Sequence, residues 1–225
     1  MFNPNICQRV KHMVIKKIEK YYAPLKRKQL KDTNVTIISN NCWGGVTYEG
    51  YGIKKQSPTV GCYCFAKDYL KLVNNLKYYM EHELEFIPLE DSRYKQWIID
   101  NHNENCPIAR IVDIEIVFVH YPNAKIAKEK WDRRVKRINW DNLVFKFSYM
   151  NHATEEDLEK FDSYDLPGKK IMFVNKKNHI YKCGVYYPGY DEDAQIYNDT
   201  FYWNKYFDVT LFLNTGEIKE CARYK

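Results

Sequence analysis

The sequence predicts an α/β fold: a single three-layer domain over residues 1–225, with a mostly parallel sheet, helices on both of its faces and a possible antiparallel edge strand. Two observations support this prediction. Short β-branched or apolar runs alternate with longer segments in which apolar residues recur at helical spacing. The composition, with 45% hydrophobic and 28% charged residues, is that of a globular chain, and 225 residues can bury a substantial core.

The first 31 residues form a basic amphipathic segment. Apolar residues fall at helical spacing over 5–22, and Pro24 is expected to end the helix. Nine lysines and arginines stand against a single acid, Glu19. Such a helix either lies on an anionic membrane surface or packs on the domain, and we interpret it as a packed helix.

The later elements are assigned from the same periodicities. The most hydrophobic stretch, 108–120, is predicted to be the central strand. The predicted strands are 35–39, 59–65, 108–120, 143–147, 171–174 and 180–185, with 207–213 as the possible edge strand. The predicted helices are 66–82, 124–137 and 155–161, the last beginning with a capping box of Thr154 and Asp157. The final segment, 186–225, is rich in Tyr and Asp and shows little periodicity.

Charge and cysteine content narrow the classes of function. The formal net charge is +6, but the excess is concentrated in the N-terminal segment, so nucleic acid is not expected as a partner. Seven scattered cysteines do not resemble the disulfide framework of a small secreted domain. We find no secretory signal pattern and no run of 18 uncharged apolar residues. The expected location is therefore the cytoplasm, with peripheral contact at the inner face of the cell membrane as an option.

The first candidate site follows the first predicted strand. Ligands of parallel sheets bind outside the carboxyl ends of the strands, and here the strand leads into Asn40, Asn41, Cys42, Gly44 and Gly45. The two amides offer donors and acceptors, and the glycines let backbone N–H groups approach a ligand closely. Cys42 is either a nucleophile or a small packing residue.

The second candidate is His120, at the end of the most hydrophobic stretch. A histidine at the carboxyl end of a strand is placed to act as a general acid or base. The alternative is a core histidine that bonds to a backbone carbonyl. Because Cys42 and His120 both follow strong apolar runs, we expect them on neighbouring strand ends.

The third candidate lies on the predicted helix 124–137. Trp131, Arg134 and Arg137 are spaced three apart and share one helix face. Two arginines and an indole can hold a phosphate, a carboxylate or a nucleotide diphosphate. The ordinary alternative is a solvated charged face.

No metal and no cofactor are predicted. Asp113-x-Glu115 and Asp191-x-Asp193 have the form of acidic pairs that bind a divalent ion, but pairs this short arise often by chance. The sequence contains neither a phosphate-binding Walker loop nor a G-x-G-x-x-G fingerprint.

Several of these segments occur in one combination: Asn40-Asn41-Cys42-Trp43-Gly44-Gly45, Ser57-Pro58-Thr59, and His120-Tyr121 with Trp131-x-x-Arg134-x-x-Arg137. The combination, over about 35–174, resembles a bacterial family catalogued as a domain of unknown function, whose members are often labelled exopolysaccharide or capsular polysaccharide biosynthesis proteins. The resemblance implies a cell-envelope sugar context. This chain departs from the family pattern at Trp43, where a small aliphatic residue is usual. It also has Asn151 and His152 after the strand 143–148, where the family carries an Asp.

We interpret the chain as a transferase of surface-polysaccharide assembly that acts on a sugar nucleotide or a lipid-linked sugar. In this interpretation His120 deprotonates an acceptor hydroxyl, while Arg134 and Arg137 hold a phosphate. The alternative is a non-catalytic accessory protein that binds glycans or the assembly machinery at the inner membrane face. A hydrolase based on Cys42 and His120 would need an orienting acid that the sequence does not identify.

Overall fold

The computed structural model describes residues 6–221, with side chains from residue 14 onward. Half of its strands form one parallel sheet. The strands of this sheet, in spatial order, are β1 (Thr36–Ser39), β6 (Leu143–Ser148), β7 (Lys169–Val174) and β8 (Gly184–Tyr186), and every neighbouring pair is parallel. The predicted α/β class is confirmed, and this sheet matches the parallel part of the prediction.

A second sheet is antiparallel. Its strands, in spatial order, are β2 (Tyr63–Cys64), β5 (Ile114–Val117), β4 (Ile108–Ile111) and β3 (Glu85–Ile87). The predicted central strand 108–120 is therefore wrong: the chain reverses within it, at Val112, whose φ is 55°. A continuous apolar run conceals such a hairpin because both of its strands are buried. The single, mostly parallel sheet expected from the sequence thus describes only half of the strands.

Eight α-helices and one short 3₁₀ helix connect these strands in the described part of the chain. The helices are α1 (Ile6–Lys28), α2 (Trp43–Tyr51), α3 (Ala66–Asn74), α4 (Leu76–Met80), α5 (Lys95–Asp100), α6 (Ala124–Val135), α7 (Glu155–Ser163) and α8 (Val209–Thr215), and the 3₁₀ helix is Leu89–Asp91. None of the helices described is long and apolar enough to cross a membrane. The capping box predicted for α7 is confirmed, with Thr154 accepting from the backbone of Asp157 and Asp157 accepting from that of Thr154.

Two further predictions, the end of one helix and the type of one element, are wrong. Pro24 does not end α1, which continues to Lys28. Proline lacks the N–H that would have donated a hydrogen bond to the carbonyl of Lys20. Because Lys20 and Pro24 are both exposed, water can donate to that carbonyl instead. The predicted edge strand 207–213 is the helix α8, whose buried residues Val209, Phe212 and Leu213 have helical spacing.

The two faces of the parallel sheet contribute to two different hydrophobic cores. Alternation along β1 shows this directly, because Ile37 belongs to one core and Ile38 to the other. The Ile37 core includes side chains of α2 and α8, among them Tyr48 and Phe212. The Ile38 core includes side chains of α3, α6 and α7, among them Tyr69, Trp131 and Phe161.

Candidate functional site

The carboxyl edge of the parallel sheet is held together by Asn40. Its Nδ2 donates to the Ser148 carbonyl at 3.1 Å, and its Oδ1 accepts from the Ser148 N–H at 3.0 Å. Asn40 is fully buried and lines neither of the two clefts described below. This predicted site residue therefore joins the ends of β1 and β6 and positions its neighbours.

A buried polar cluster lies beside this joint. Asp199 Oδ2 accepts from Lys146 Nζ, from Ser148 Oγ at 2.5 Å and from Asn41 Nδ2 at 2.8 Å. Lys146 is fully buried and Asp199 is 1% exposed. Asp199 Oδ1 has no hydrogen-bond partner among the described residues, yet Asp199 lines a cleft. A buried carboxylate oxygen without a partner is costly, so this atom is a candidate acceptor for a bound ligand.

Sequence reasoning missed Lys146, Ser148 and Asp199. The signal for Lys146 was present, because a lysine in the middle of an otherwise apolar strand is rarely buried without a specific partner. Burial lowers the pKa of Lys146 to about 8, with the ion pair to Asp199 acting in the opposite direction. No comparable signal marked Asp199, which lies in the weakly periodic C-terminal segment.

A cleft of about 400 Å³, here called the polar–aromatic cleft, opens above this cluster. Asn41 and Asp199 belong to its lining. Further amide groups come from Asn101, Asn103, Asn151, Gln195 and Asn198, and aromatic rings from Tyr63, Trp97 and Tyr197. Amides that donate and accept hydrogen bonds beside flat apolar rings suit a polyhydroxylated ligand.

The turn that follows β6 shapes one side of this cleft. Asn151 and His152 both adopt left-handed backbone conformations, with φ of 56° and 64°. Asn151 Nδ2 donates to the Cys64 carbonyl at 3.2 Å, which links the parallel sheet to β2 of the antiparallel sheet. His152 packs against the rings of Phe65 and Trp97. The two sheets are thus fixed relative to each other at the site.

A second cleft of about 370 Å³, here called the basic cleft, lies on the other side of Cys42 and His120. Its cationic side chains are Lys16, Lys55, Lys130 and Arg134, and Glu49 is its one acid among the described lining residues. Glu49 is paired with Lys55 at 2.7 Å. Gly45, in the first turn of α2, also lines this cleft. Several cations together with a helix N-terminus favour an anionic ligand.

The two glycines of the first candidate site lie in a helix. Gly44 and Gly45 occupy the first turn of α2, which begins at Trp43. A side chain on Gly44 would meet Ile37 at 3.2 Å, so close packing of α2 on β1 explains this glycine. Gly45 alone of the two reaches a cleft.

Cys42 and His120 line both clefts and mark their junction. They do not follow neighbouring strands, as the sequence suggested: Cys42 follows β1 of the parallel sheet, and His120 follows β5 of the antiparallel sheet. Desolvation and the nearby Lys16 lower the pKa of His120, so its imidazole is neutral at pH 7. Desolvation and the nearby Asp199 raise the pKa of Cys42 to about 12, so its thiol stays protonated.

The three residues of the predicted helix face have different positions. Arg134 lines the basic cleft, is only 8% exposed, and donates from Nη1 to the Val60 carbonyl at 3.1 Å and to the Tyr121 hydroxyl. Trp131 is buried in the core against Phe118. Arg137 belongs to the lining of neither cleft. Their predicted common face does not bring them to one ligand, because the α6 face that carries Trp131 packs against the core and α6 ends at Val135, before Arg137.

Two other features lie outside this site. A cavity of about 520 Å³ lies between α1 and α2 and is lined by none of the site residues predicted from the sequence. The acidic pair Asp113-x-Glu115 is committed to ion pairs, with Lys71 for Asp113 and with Arg93 and Arg110 for Glu115.

Fold and site together define an α/β protein whose candidate site is a pair of clefts of different chemistry at the carboxyl edge of a parallel sheet. The chain belongs to the family described as Domain of unknown function (DUF1919), whose model matches residues 12–214. It is also similar to an uncharacterized protein of Haemophilus influenzae, with 30% identity over 210 residues, covering 91% of this chain and 94% of that protein. The predicted family of unknown function is confirmed. Neither comparison links the chain to exopolysaccharide or capsule synthesis.

Proposed function

We propose that this chain is a transferase of bacterial surface-polysaccharide assembly that acts on a sugar diphosphate, either a sugar nucleotide or a lipid-linked sugar. One observation carries the proposal. A cleft suited to an anion and a cleft suited to a sugar meet at His120 and Cys42. A glycosyl diphosphate has these two parts, joined at the bond that a transferase breaks. The proposed place of action is the cytoplasm, including the inner face of the cell membrane.

The diphosphate belongs in the basic cleft. Lys16, Lys55 and Lys130 supply point charges, and Arg134 supplies a planar guanidinium whose position is set by the Val60 carbonyl. The N-terminal turn of α2 adds the backbone at Gly45. These groups would also stabilise the negative charge that develops on a departing diphosphate.

The glycosyl group belongs in the polar–aromatic cleft. Hydrogen bonds from its amides can fix hydroxyl groups, and Trp97 and Tyr197 can pack on the sugar ring. The unpartnered Oδ1 of Asp199 can accept from one sugar hydroxyl. Asp199 also adjoins Ser148 at the end of β6, so it supplies a carboxylate near the place where the family resemblance leads us to expect an Asp.

The transfer step then uses His120 as the base. Neutral His120 takes the proton of the acceptor hydroxyl, and the acceptor oxygen forms a bond to the anomeric carbon. The bond between that carbon and the diphosphate oxygen breaks, and the electron pair leaves with the diphosphate. The lowered pKa of His120 keeps the base form available at neutral pH.

A second candidate function is a non-catalytic glycan-binding accessory protein. No carboxylate of the described residues is hydrogen-bonded to the His120 ring, and Cys42 is a protonated thiol. The same two facts argue against a Cys42–His120 hydrolase, which needs a thiolate and an oriented imidazole.

Native mass spectrometry of the purified chain, followed by turnover of the ligand found, tests the proposal. A transferase is expected to carry or bind a sugar diphosphate and to release diphosphate in the presence of an acceptor. Turnover should be lost in H120Q while binding is retained. Binding without turnover in the wild-type chain would indicate the accessory protein, and failure to bind any sugar diphosphate would overturn both functions.

A further inference from the structure

Helix α1 leaves an apolar stripe uncovered. Its members are Val14, Ile18, Tyr21, Tyr22 and Leu25, which are 49%, 51%, 78%, 48% and 56% exposed. Steps of three and four residues place these side chains on one helix face. α1 packs on the domain, as the sequence suggested, but this part of it does not pack by its apolar face.

The opposite face of α1 holds the helix in this orientation. Ala23 is buried, and Glu19 accepts from Trp203 Nε1 at 2.7 Å. Lys26 Nζ lies 5.2 Å from the centre of the Trp203 ring. These contacts attach the helix to the body of the protein by its other face, so the stripe points outward because of packing.

Positive charge accompanies the stripe. Lys17 and Lys28 are exposed and fall along one flank of the stripe when α1 is viewed down its axis, whereas Lys20 lies farther round and lines the cavity between α1 and α2. The one acid in α1, Glu19, lies on the packed face and is bonded to Trp203. The exposed side of α1 is therefore apolar in the middle and cationic at its border.

We propose that α1 lies flat on an anionic membrane surface, with the stripe at the boundary of headgroups and acyl chains and the lysines against lipid phosphates. The pattern of an apolar face, aromatic residues and a basic border is that of an interfacial helix. A second copy of the chain fits the same face less well, because pairing two stripes would bring two rows of lysines together.

The proposed docking has a consequence for the site. Lys16, on the same helix, lines the basic cleft. A docked α1 would hold that cleft near the lipid surface, which favours a lipid-linked sugar over a soluble sugar nucleotide. This consequence rests on the proposed function, whereas the docking itself does not.

Co-sedimentation of the full chain with vesicles tests the docking without any substrate. We expect binding to vesicles that contain phosphatidylglycerol, little binding to pure phosphatidylcholine, and loss of binding in high salt, because the attraction between exposed charges is screened. The double variant I18S/L25S should bind about tenfold more weakly or worse, since exposed apolar area drives insertion. I180S, at a residue that is 90% exposed elsewhere on the surface, is the matched control and should bind as the wild type does.

The charge requirement is tested in the same way. K17E/K28E should reduce binding about tenfold or more, and K77E/K95E, an equal charge change at exposed lysines outside α1, should leave most of it. Equal binding to neutral and anionic vesicles, or wild-type binding by I18S/L25S, would overturn the proposal. So would a dimer in light scattering that I18S/L25S abolishes, because a second copy would then cover the stripe. These outcomes leave the turnover experiment unaffected.

Discussion

At the level of single residues, Arg134 both makes a structural hydrogen bond and lines the basic cleft. Its Nη1 holds the Val60 carbonyl, and the buried guanidinium faces the basic cleft. Arg137, one turn later on the same chain segment, lines neither cleft and is partly exposed. The pair therefore offers a comparison in which the same substitution is made inside and outside the candidate site.

Replacing Arg134 by Lys should weaken binding of inorganic pyrophosphate by about 1–3 kcal/mol, because lysine cannot reproduce the planar contact of a guanidinium. The variant should also lose some stability, since the Val60 carbonyl loses a charged donor. Isothermal titration and thermal unfolding measure the two effects. R137K should change stability by less than about 0.5 kcal/mol and leave binding intact. Equal losses of affinity in R134K and R137K would contradict the assignment of the basic cleft.

His120 should impose an acidic limb on the pH dependence of transfer. Its pKa is lowered below the ordinary value of 6.5, and the base must be neutral. Activity should approach its full value as the pH rises above 6.5 and should fall as the pH drops through the lowered pKa, where the imidazole gains a proton. A kcat/KM profile of the wild type would show this limb. An unchanged profile in a residually active H120Q would exclude His120 as the base.

Helix α8 shows, at the scale of an element, how capping decides between helix and strand. Asp208 accepts from the Leu211 N–H at 2.9 Å, and Gly216 ends the helix with a φ of 81°. Both capping residues can be recognised in the sequence, and the seven residues between them are enough for two helical turns. The apolar run between them nevertheless predicted a strand, because Phe207, Val209 and Leu211 also alternate as strand residues do.

The substitution D208A should cost about 1 kcal/mol of unfolding free energy, since it removes the N-cap. Asn keeps a side-chain acceptor of similar geometry, so D208N should retain most of the stability. Urea unfolding of the two variants measures the difference. Equal stability of D208A and the wild type would show that the cap contributes nothing to the fold.

In the molecule as a whole, a few buried polar groups join the C-terminal segment to the parallel sheet. Asp199 bonds to Lys146 of β6, and the Trp203 carbonyl accepts from Trp43 Nε1 at 3.0 Å. Trp203 also bonds to Glu19 of α1. These links bring α1 and the C-terminal segment to the edge of the sheet where the clefts open.

The single substitutions K146M and D199N should each destabilise the protein by about 3–5 kcal/mol, because each disrupts the balance of charge in a buried ion pair. The double variant K146M/D199N should lose less than the sum of the two, since it buries no unpaired charge. Denaturant unfolding of all three variants measures the coupling. Additive losses would show that Lys146 and Asp199 do not stabilise each other.

Sequence reasoning succeeded where the signal was local. The strand before Asn40, the helix after Thr154 and the amphipathic nature of α1 all follow from spacing within a few residues. It also selected Asn41, Cys42, His120 and Arg134, which line the clefts, because polar residues after apolar runs stand out. It failed for Trp131, since helical spacing alone does not say which side of α6 faces the core, and for Arg137, since α6 ends at Val135.

The sequence by itself determined the α/β class, the family and the polar residues that follow the buried strands, because these depend on composition and short-range pattern. Only the tertiary structure decided that the apolar run 108–120 folds back as a hairpin, that Lys146 meets an acid 53 residues away, and that Arg134 meets Val60, 74 residues away. Contacts over such distances leave no periodicity in the chain. They arise when whole elements pack, and in this protein they determine which polar groups share a cleft.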